Sequence, residues 1–338
     1  MQIKAGFYKD KLERTGSAMK VVITDYQYEN INTERAIIGD MGYELQDYQE
    51  KRPEQLIPLV KDADAIITQY ADINEEVINA LEHCKMIIKY GIGVNNIDCE
   101  AAGKKGIYVC NVPDYGVDEV SDHAVTMMLA LGKKIEILQK SFKNGQWGYD
   151  SIVPVKRFSE CVAGLLGFGR IPRKVCKKLQ AFGMKIMVYD PYVEAEVIER
   201  EGAKKAEVEE ICREADFISV HCPLTKDTLH LIGANELSMM KQDAVIVNTA
   251  RGGVVDEDAL IEALRNKTIG AAGVDVFESE PVSPDHPLLH MDNVIATPHS
   301  AWYSETAIQT LQRKAAEEVV NVLKGNEPFH CVNRQYLK

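Results

Sequence analysis

Short apolar runs alternate with amphipathic stretches along nearly all of this 338-residue chain. Apolar runs too short for buried helices, with helical patterns between them, become strands of a parallel sheet whose crossovers are the helices. In the first third, strands are expected at 21–24, 65–68, 86–89 and 107–110, with helices such as 74–81 between them. A long helical pattern follows at 118–140, then a loop rich in Gly, Trp and Pro at 144–154. A second series begins at Cys161, with strands expected at 162–166, 185–189, 217–221, 244–248, 271–275 and 294–297.

Two such series predict an α/β chain of two doubly wound parallel-sheet domains, a Rossmann nucleotide-binding domain inserted into a flavodoxin-like one. The last helical stretch, 304–323, should return to the first domain. The expected boundaries put residues 1–118 and 299–338 in a substrate domain and 119–298 in the nucleotide domain. Residues 1–18 are polar and without a clear period, and read as an extension, with Met19 as an alternative start. A mitochondrial presequence is the minor reading, and Asp10 and Glu13 count against it. The end of the chain soon after the last helical stretch leaves no C-terminal regulatory extension in this reading.

Composition excludes several function classes. No apolar run approaches the ~20 residues of a membrane span. The net charge of −12 argues against a broad basic surface for nucleic acid. Eight cysteines without a C-x-x-C pair read as reduced thiols of a cytoplasmic protein, and no metal site is expected.

An acidic chain that binds anions must use local groups. Gly164-Leu165-Leu166-Gly167-Phe168-Gly169-Arg170-Ile171-Pro172 follows a strand and opens a helix. Gly167 and Gly169 suit the tight turn and close approach of a pyrophosphate at a helix N-terminus. Pro172 stands where the third glycine of the pattern would be. In a first helical turn its missing N–H costs little. Asp190 ends the next strand about 20 residues on, where an acidic residue takes ribose hydroxyls. No arginine follows it directly, so the cofactor expected is NAD rather than NADP.

Arg251, Asp275, Glu280 and His299 follow in order. A permanent cation holds a carboxylate, an imidazole handles a proton, and a neighbouring carboxylate orients and charges the imidazole. This set suits hydride and proton transfer to the carbonyl of a small acid. Asp256 opens a helical pattern and reads as an N-cap.

At these residues the chain resembles the D-2-hydroxyacid dehydrogenases. The likeness is carried by His221-Cys222-Pro223-Leu224-Thr225, Val247-Asn248-Thr249-Ala250-Arg251-Gly252-Gly253, Gly273-Val274-Asp275-Val276-Phe277, Glu280-Pro281 and Thr297-Pro298-His299. Gly91-Ile92-Gly93-Val94-Asn95-Asn96-Ile97-Asp98 and Asn111-Val112-Pro113 fit upstream. Asn111-Val112-Pro113-Asp114-Tyr115 and His299-Ser300-Ala301-Trp302-Tyr303-Ser304 point to the C-terminal-binding-protein-like and phosphoglycerate-dehydrogenase-like members. The chain departs at Pro172, at Asn95 where aspartate is common, and at Asp122 where glutamate is usual.

The resemblance implies that Arg251, Glu280 and His299 are catalytic. Arg251 would clamp the carboxylate and 2-oxygen, and His299, paired with Glu280, would be the acid/base. It implies that NAD lies against Gly167, Gly169, Arg170, Ile171, Asp190, Cys222, Pro223, Thr249, Ala250, Arg251, Asp275 and His299. Ile92, Gly93, Arg251, His299 and Trp302 would meet the substrate. Second readings stand beside these: a structural salt bridge for Arg251, a loop position for His299, a solvated carboxylate for Glu280, a loop carboxylate for Asp190, a helix or turn cap for Asp275, a plain strand-to-helix turn for Ile92-Gly93, and a core or surface position for Trp302. The reaction implied interconverts a small 2-oxo acid and its D-2-hydroxy acid in a homodimer, whose contact is expected on the helix carrying Val125, Met128, Leu129 and Leu131. The alternative is an NAD(H)-sensing interaction protein.

Overall fold

A computed structural model describes residues 18–337. The extension reading rests on residues that, up to 17, lie outside the described residues. The chain divides into two compact units, one up to Tyr115 and again from Glu305, the other Gly116–Ser304. These changeovers lie a few residues from the expected 118/119 and 298/299. The physical reason lies in hydrogen bonds: the His299 N–H donates to the Asp275 carbonyl at 2.8 Å, and the N–H groups of Ser300 and Ala301 donate to the Asp275 carboxylate. That ties 299–301 to the second unit.

The first unit holds β1 (Lys20–Ile23), β2 (Glu44–Asp47), β3 (Ala65–Thr68), β4 (Met86–Lys89) and β5 (Tyr108–Cys110). Their order is β2-β1-β3-β4-β5, all parallel, the order of flavodoxin-like sheets. The central strands β3 and β4 are buried along their whole length, as strands covered on both faces must be. Strand β2, Glu44-Leu45-Gln46-Asp47, was not among the expected strands; it lies at the edge and shows no apolar run. The helix expected at 74–81 forms as Glu75–Ala80, with the Asn74 side chain accepting from the Val77 N–H. The last helix, Glu305–Leu323, belongs to this unit and packs on the helix Asn32–Gly39.

The second unit holds β6 (Val162–Leu166), β7 (Lys185–Tyr189), β8 (Lys204–Lys205), β9 (Phe217–Val220), β10 (Val245–Asn248), β11 (Ala271–Val274) and β12 (Val294–Ala296). Their order is β12-β11-β10-β9-β6-β7-β8, all parallel. Counted within the unit this is the Rossmann order 3-2-1-4-5-6 with one more strand. Alternate residues feed the two faces. Leu166, Ile218, Val220 and Ile246 join one core, and Leu165, Phe217, Val245 and Val247 the other.

The single helix expected at 118–140 is two, Val117–Gly132 and Ile135–Lys143. Gly132 weakens the helix, and Lys134 takes a left-handed φ of 51° between the two. Val125, Met128 and Leu131, expected to face a second copy, are buried in the core of their own unit, and Leu129 packs against it. The exposed apolar side chains lie further on, at Ile135, Phe142 and Trp147. No described helix is long and apolar enough to cross a membrane.

Candidate active site

The glycine loop leaves β6 with Gly167 at φ 100°. A Cβ at this position would lie 3.2 Å from the Cys222 nitrogen and the His221 carbonyl carbon, so only glycine lets the loop lie against the end of β9. Cys222 is buried there, with Pro223 next along the chain. The loop amide of Phe168 donates to Asp190 Oδ2 at 2.7 Å, and Oδ1 accepts from the Tyr192 N–H at 2.9 Å. Asp190 therefore stands at the end of β7 beside the glycine loop. Helix Arg170–Ala181 begins at Gly169, Arg170 and Ile171, and a Cβ at Gly169 would meet nothing within 4 Å. The helix N-terminus is thus open to an anion. Pro172 falls in its first turn, where its nitrogen would have no helical acceptor. His221 is neutral: burial pulls its imidazole down to about 3, and Nε2 lies 2.9 Å from Ser219 Oγ.

Beyond β10 the Asn248 side chain holds the turn from both ends. It accepts from the Ala250 N–H at 3.0 Å and donates to the Arg251 carbonyl at 2.9 Å. The Thr249 hydroxyl is buried with no hydrogen-bond partner among the described residues. Arg251 is half-buried, and its Nη1 donates to the Ala250 carbonyl at 2.6 Å. At Gly252 a Cβ would lie 2.0 Å from the Phe277 carbonyl carbon, so the loops after β10 and β11 touch backbone to backbone.

Phe277 begins the stretch that carries Glu280. Its N–H donates to Glu280 Oε1 at 2.9 Å, and Oε2 lies 2.6 Å from His299 Nδ1. Burial pushes the Glu280 carboxyl up. The hydrogen bond from His299, that from the Phe277 N–H and the charges of His299 and Arg251 outweigh this, leaving it below the usual range. Glu280 is therefore an ionised partner for the imidazole. The side chains of His299 and Glu280 are 39% and 35% exposed, so the pair is open to a substrate. With Nδ1 turned to Glu280, Nε2 is the ring nitrogen that faces away from the carboxylate.

His299 holds a left-handed φ of 51°. Asp275, buried at the end of β11, fixes this turn by accepting from the Thr297 hydroxyl at 2.6 Å and the N–H groups of Ser300 and Ala301 at 2.9 and 3.0 Å. Its carboxylate is thus engaged as a turn cap. Trp302 Nε1 donates to the His299 carbonyl at 3.0 Å, placing the indole in support of the histidine. His123 Nε2 lies 3.0 Å from the Thr297 hydroxyl. Asp256 caps helix Glu257–Arg265 by accepting from the Ala259 N–H.

Ile92 and Gly93 belong to the other unit, in the loop after β4. Gly91 there takes φ 141°, and Ile92 is exposed. Among the described residues the N–H groups of Ile92 and Gly93 reach no acceptor. The loop is held from below: Asn111 Nδ2 donates to the Ile92 carbonyl at 2.7 Å and the Val112 N–H to the Gly91 carbonyl at 3.0 Å. The buried Tyr90 hydroxyl donates to buried Glu34 at 2.5 Å. Asp25, after β1, gathers the N–H groups of Gln69, Tyr70 and Ala71. Sequence reasoning gave no role to Asn111, Glu34, Asp25, Asn248 or Gly252. For Asp25 a signal existed, a carboxylate directly after an apolar strand.

Residues 125–301 match the model of the D-isomer specific 2-hydroxyacid dehydrogenase NAD binding domain. The chain belongs to this family. It is 39% identical over 317 residues to the D-3-phosphoglycerate dehydrogenase of Methanocaldococcus jannaschii, covering 93% of this chain and 59% of that one. It thus spans less than two thirds of that relative, and 55% of the phosphoglycerate dehydrogenase of Archaeoglobus fulgidus. The glyoxylate reductase of Korarchaeum cryptofilum is 34% identical over 311 residues, covering 88% of this chain and 91% of that one. Among solved structures, D-lactate dehydrogenase from Aquifex aeolicus, complexed with NAD and lactic acid, aligns with a TM-score of 0.82 at 30% identity, covering 90% of this chain and 96% of that one. The matched residues 125–301 fall within the second unit, which is therefore the NAD-binding domain of this family. The open helix N-terminus at Gly169 and the partnerless buried hydroxyl of Thr249 both suit that cofactor.

Proposed function

We propose that this dehydrogenase interconverts a small 2-oxo acid and its D-2-hydroxy acid with NAD. The observation that carries this reading is the His299–Glu280 pair at 2.6 Å, in the same unit as the glycine loop and Arg251. Bound NADH supplies the hydride. His299 Nε2 supplies the proton to the carbonyl oxygen in reduction and takes it back in oxidation. Glu280 keeps Nδ1 protonated and balances the imidazolium. Arg251 forks onto the carboxylate and the 2-oxygen, as a planar guanidinium does. In the first unit, the exposed amides of Ile92 and Gly93 form a nest suited to a carboxylate.

Gly167, Gly169, Arg170 and Ile171 take the pyrophosphate and Asp190 the ribose. Cys222, Pro223, Thr249 and Ala250 line the rest. Substrates to be compared first are glyoxylate and a phosphorylated 2-oxo acid, from the activities of the relatives. NADH oxidation measured with a panel of 2-oxo acids, including hydroxypyruvate, pyruvate and branched acids, tests the reading. Turnover of none of them would sink it. No observation favours the interaction-protein reading.

Asp190 should set the cofactor preference. A carboxylate facing a 2′-phosphate is repulsive, so NADH is expected to outcompete NADPH strongly, and Asp190→Ala to relax the preference. Equal kcat/KM with both cofactors in the unaltered enzyme would refute this.

We also propose a homodimer. Ile135, Phe142 and Trp147 are 50%, 58% and 90% exposed, and the Phe142 and Trp147 rings meet edge to face at 5.7 Å. Such a patch on one helix and its following turn marks a contact surface. An obligate pair buries more than ~2,000 Å². Light scattering should give twice the 37.8 kDa chain mass, and Phe142→Asp should lower it. A monomer at micromolar concentration in the unaltered protein would overturn the proposal.

A further inference from the structure

The segment around Cys331 runs antiparallel along the free edge of β5. The Val332 N–H donates to the Val109 carbonyl at 2.8 Å, and the Asn111 N–H to the His330 carbonyl at 3.3 Å. Cys110 and Cys331 are direct partners between these bonds. The bonds flank the pair and do not join it, so this is a non-hydrogen-bonded antiparallel pair. In that register the Cα atoms lie about 4.5 Å apart and the side chains leave the same face. A disulfide spans Cα separations of about 4.4–6.8 Å, so this pairing is within reach without backbone movement. Among the described strand and bridge pairings, no other sets two cysteines opposite each other.

The neighbourhood keeps the register fixed whatever the thiols do. The Asn333 side chain accepts from the Val109 N–H at 2.9 Å and donates to the Ile107 carbonyl at 3.0 Å. The Cys331 thiol donates to the same Asn333 oxygen at 3.2 Å. Cys110 is buried and Cys331 half-buried, so Cys331 is the thiol an oxidant meets first.

We infer that Cys110 and Cys331 form a redox modification site that closes to an intrachain disulfide under a peroxide or a small disulfide oxidant. With hydrogen peroxide, the Cys331 thiolate attacks one oxygen, the O–O bond breaks, and a sulfenic acid and one water result. The Cys110 thiolate then displaces the sulfenic oxygen as a second water, forming the S–S bond. Two electrons and two protons leave the thiols in all. Burial raises both thiols above the usual range, so the thiolate is scarce at neutral pH and closure quickens as pH rises. The closed bond staples the 331 segment to the strand end that runs on into Asn111, which holds the Ile92 carbonyl. The inference does not depend on the catalytic reading.

The test is peptide mapping of the full-length protein. It is treated with hydrogen peroxide or oxidised glutathione at pH 8, alkylated in denaturant and digested without reductant. A linked peptide pair containing Cys110 and Cys331 is expected, two hydrogens lighter than the separate peptides and released by dithiothreitol. Closing so long a loop should raise Tm by at least ~4 °C. Cys331→Ser should abolish both the linked pair and the Tm rise while NADH still binds. If that variant fails to fold, the map of the unaltered protein decides alone. Full alkylation of both thiols after oxidation, or a bond from Cys331 to Cys99 instead, would overturn the inference.

Discussion

Replacing His299 by asparagine is expected to lower kcat for 2-oxo acid reduction by roughly 10²–10⁴, the usual worth of a positioned acid. NADH binding should scarcely change, because the proposed pyrophosphate and ribose contacts lie at the glycine loop and Asp190. Asparagine is the apt replacement because the residue holds φ 51°, which asparagine tolerates better than most side chains. Alanine there would mix loss of the imidazole with backbone strain. Reduction requires the imidazolium, so its rate should fall on the alkaline side. Oxidation requires the neutral ring, so its rate should fall on the acid side. Glu280→Gln removes the negative partner 2.6 Å from Nδ1 and withdraws Coulombic support from the imidazolium. Reduction by this variant should then be slower than by the unaltered enzyme. A His299→Asn enzyme of undiminished rate and unchanged pH profile would show that the proton travels elsewhere.

Arg251→Gln should cut kcat/KM for a 2-oxo acid by roughly 30- to 5,000-fold, the equivalent of about 2–5 kcal/mol for truncating one partner of a buried charge pair. Arg251→Lys should recover only part of this, since an ammonium keeps the charge but not the fork. The two contributions separate with an aldehyde that lacks the carboxylate. If Arg251 acts on the carboxylate alone, both variants should reduce such an aldehyde as well as the unaltered enzyme does. If it also grips the 2-oxygen, the aldehyde rate should fall too, though less. A glutamine variant with unaltered kcat/KM for every 2-oxo acid would remove Arg251 from the mechanism.

Much of the fold was legible because buried parallel strands must be apolar. β3, β4, β6, β7, β9, β10 and β11 all read as such runs. The strands that escaped are both edge strands, Glu44–Asp47 and Lys204–Lys205. Polar residues at an edge discourage pairing with another chain, and the same property hides the strand from a search for apolar runs. The break at Lys134 escaped because its cause is a single left-handed residue inside an otherwise helical pattern. At the site, the aligned motifs named Arg251, Glu280 and His299, but not what holds them. Gly252 and Asp275 join loops about 25 residues apart in sequence, Asn248 holds the arginine turn through its own side chain, and no periodicity reports such contacts. Glu34 reads as a surface charge on a helix, and only packing shows it buried against Tyr90. Met128 and Leu131 failed in the opposite sense, an apolar face taken for an interface when the chain's own sheet covers it.

The missing side chain at 252 ties together turns far apart in the sequence. The Phe277 backbone fills the space a Cβ there would need, so the arginine turn and the glutamate turn are in effect one rigid block. Asp275 and Glu280 then bind the histidine turn to that block. A side chain added at Gly252 would therefore displace both the Arg251 turn and the stretch that carries Glu280. The loop bearing Ile92 lies in the other unit and rests on separate supports, Asn111 and Val112. A substitution at that loop is therefore expected to leave the His299–Glu280 pair intact.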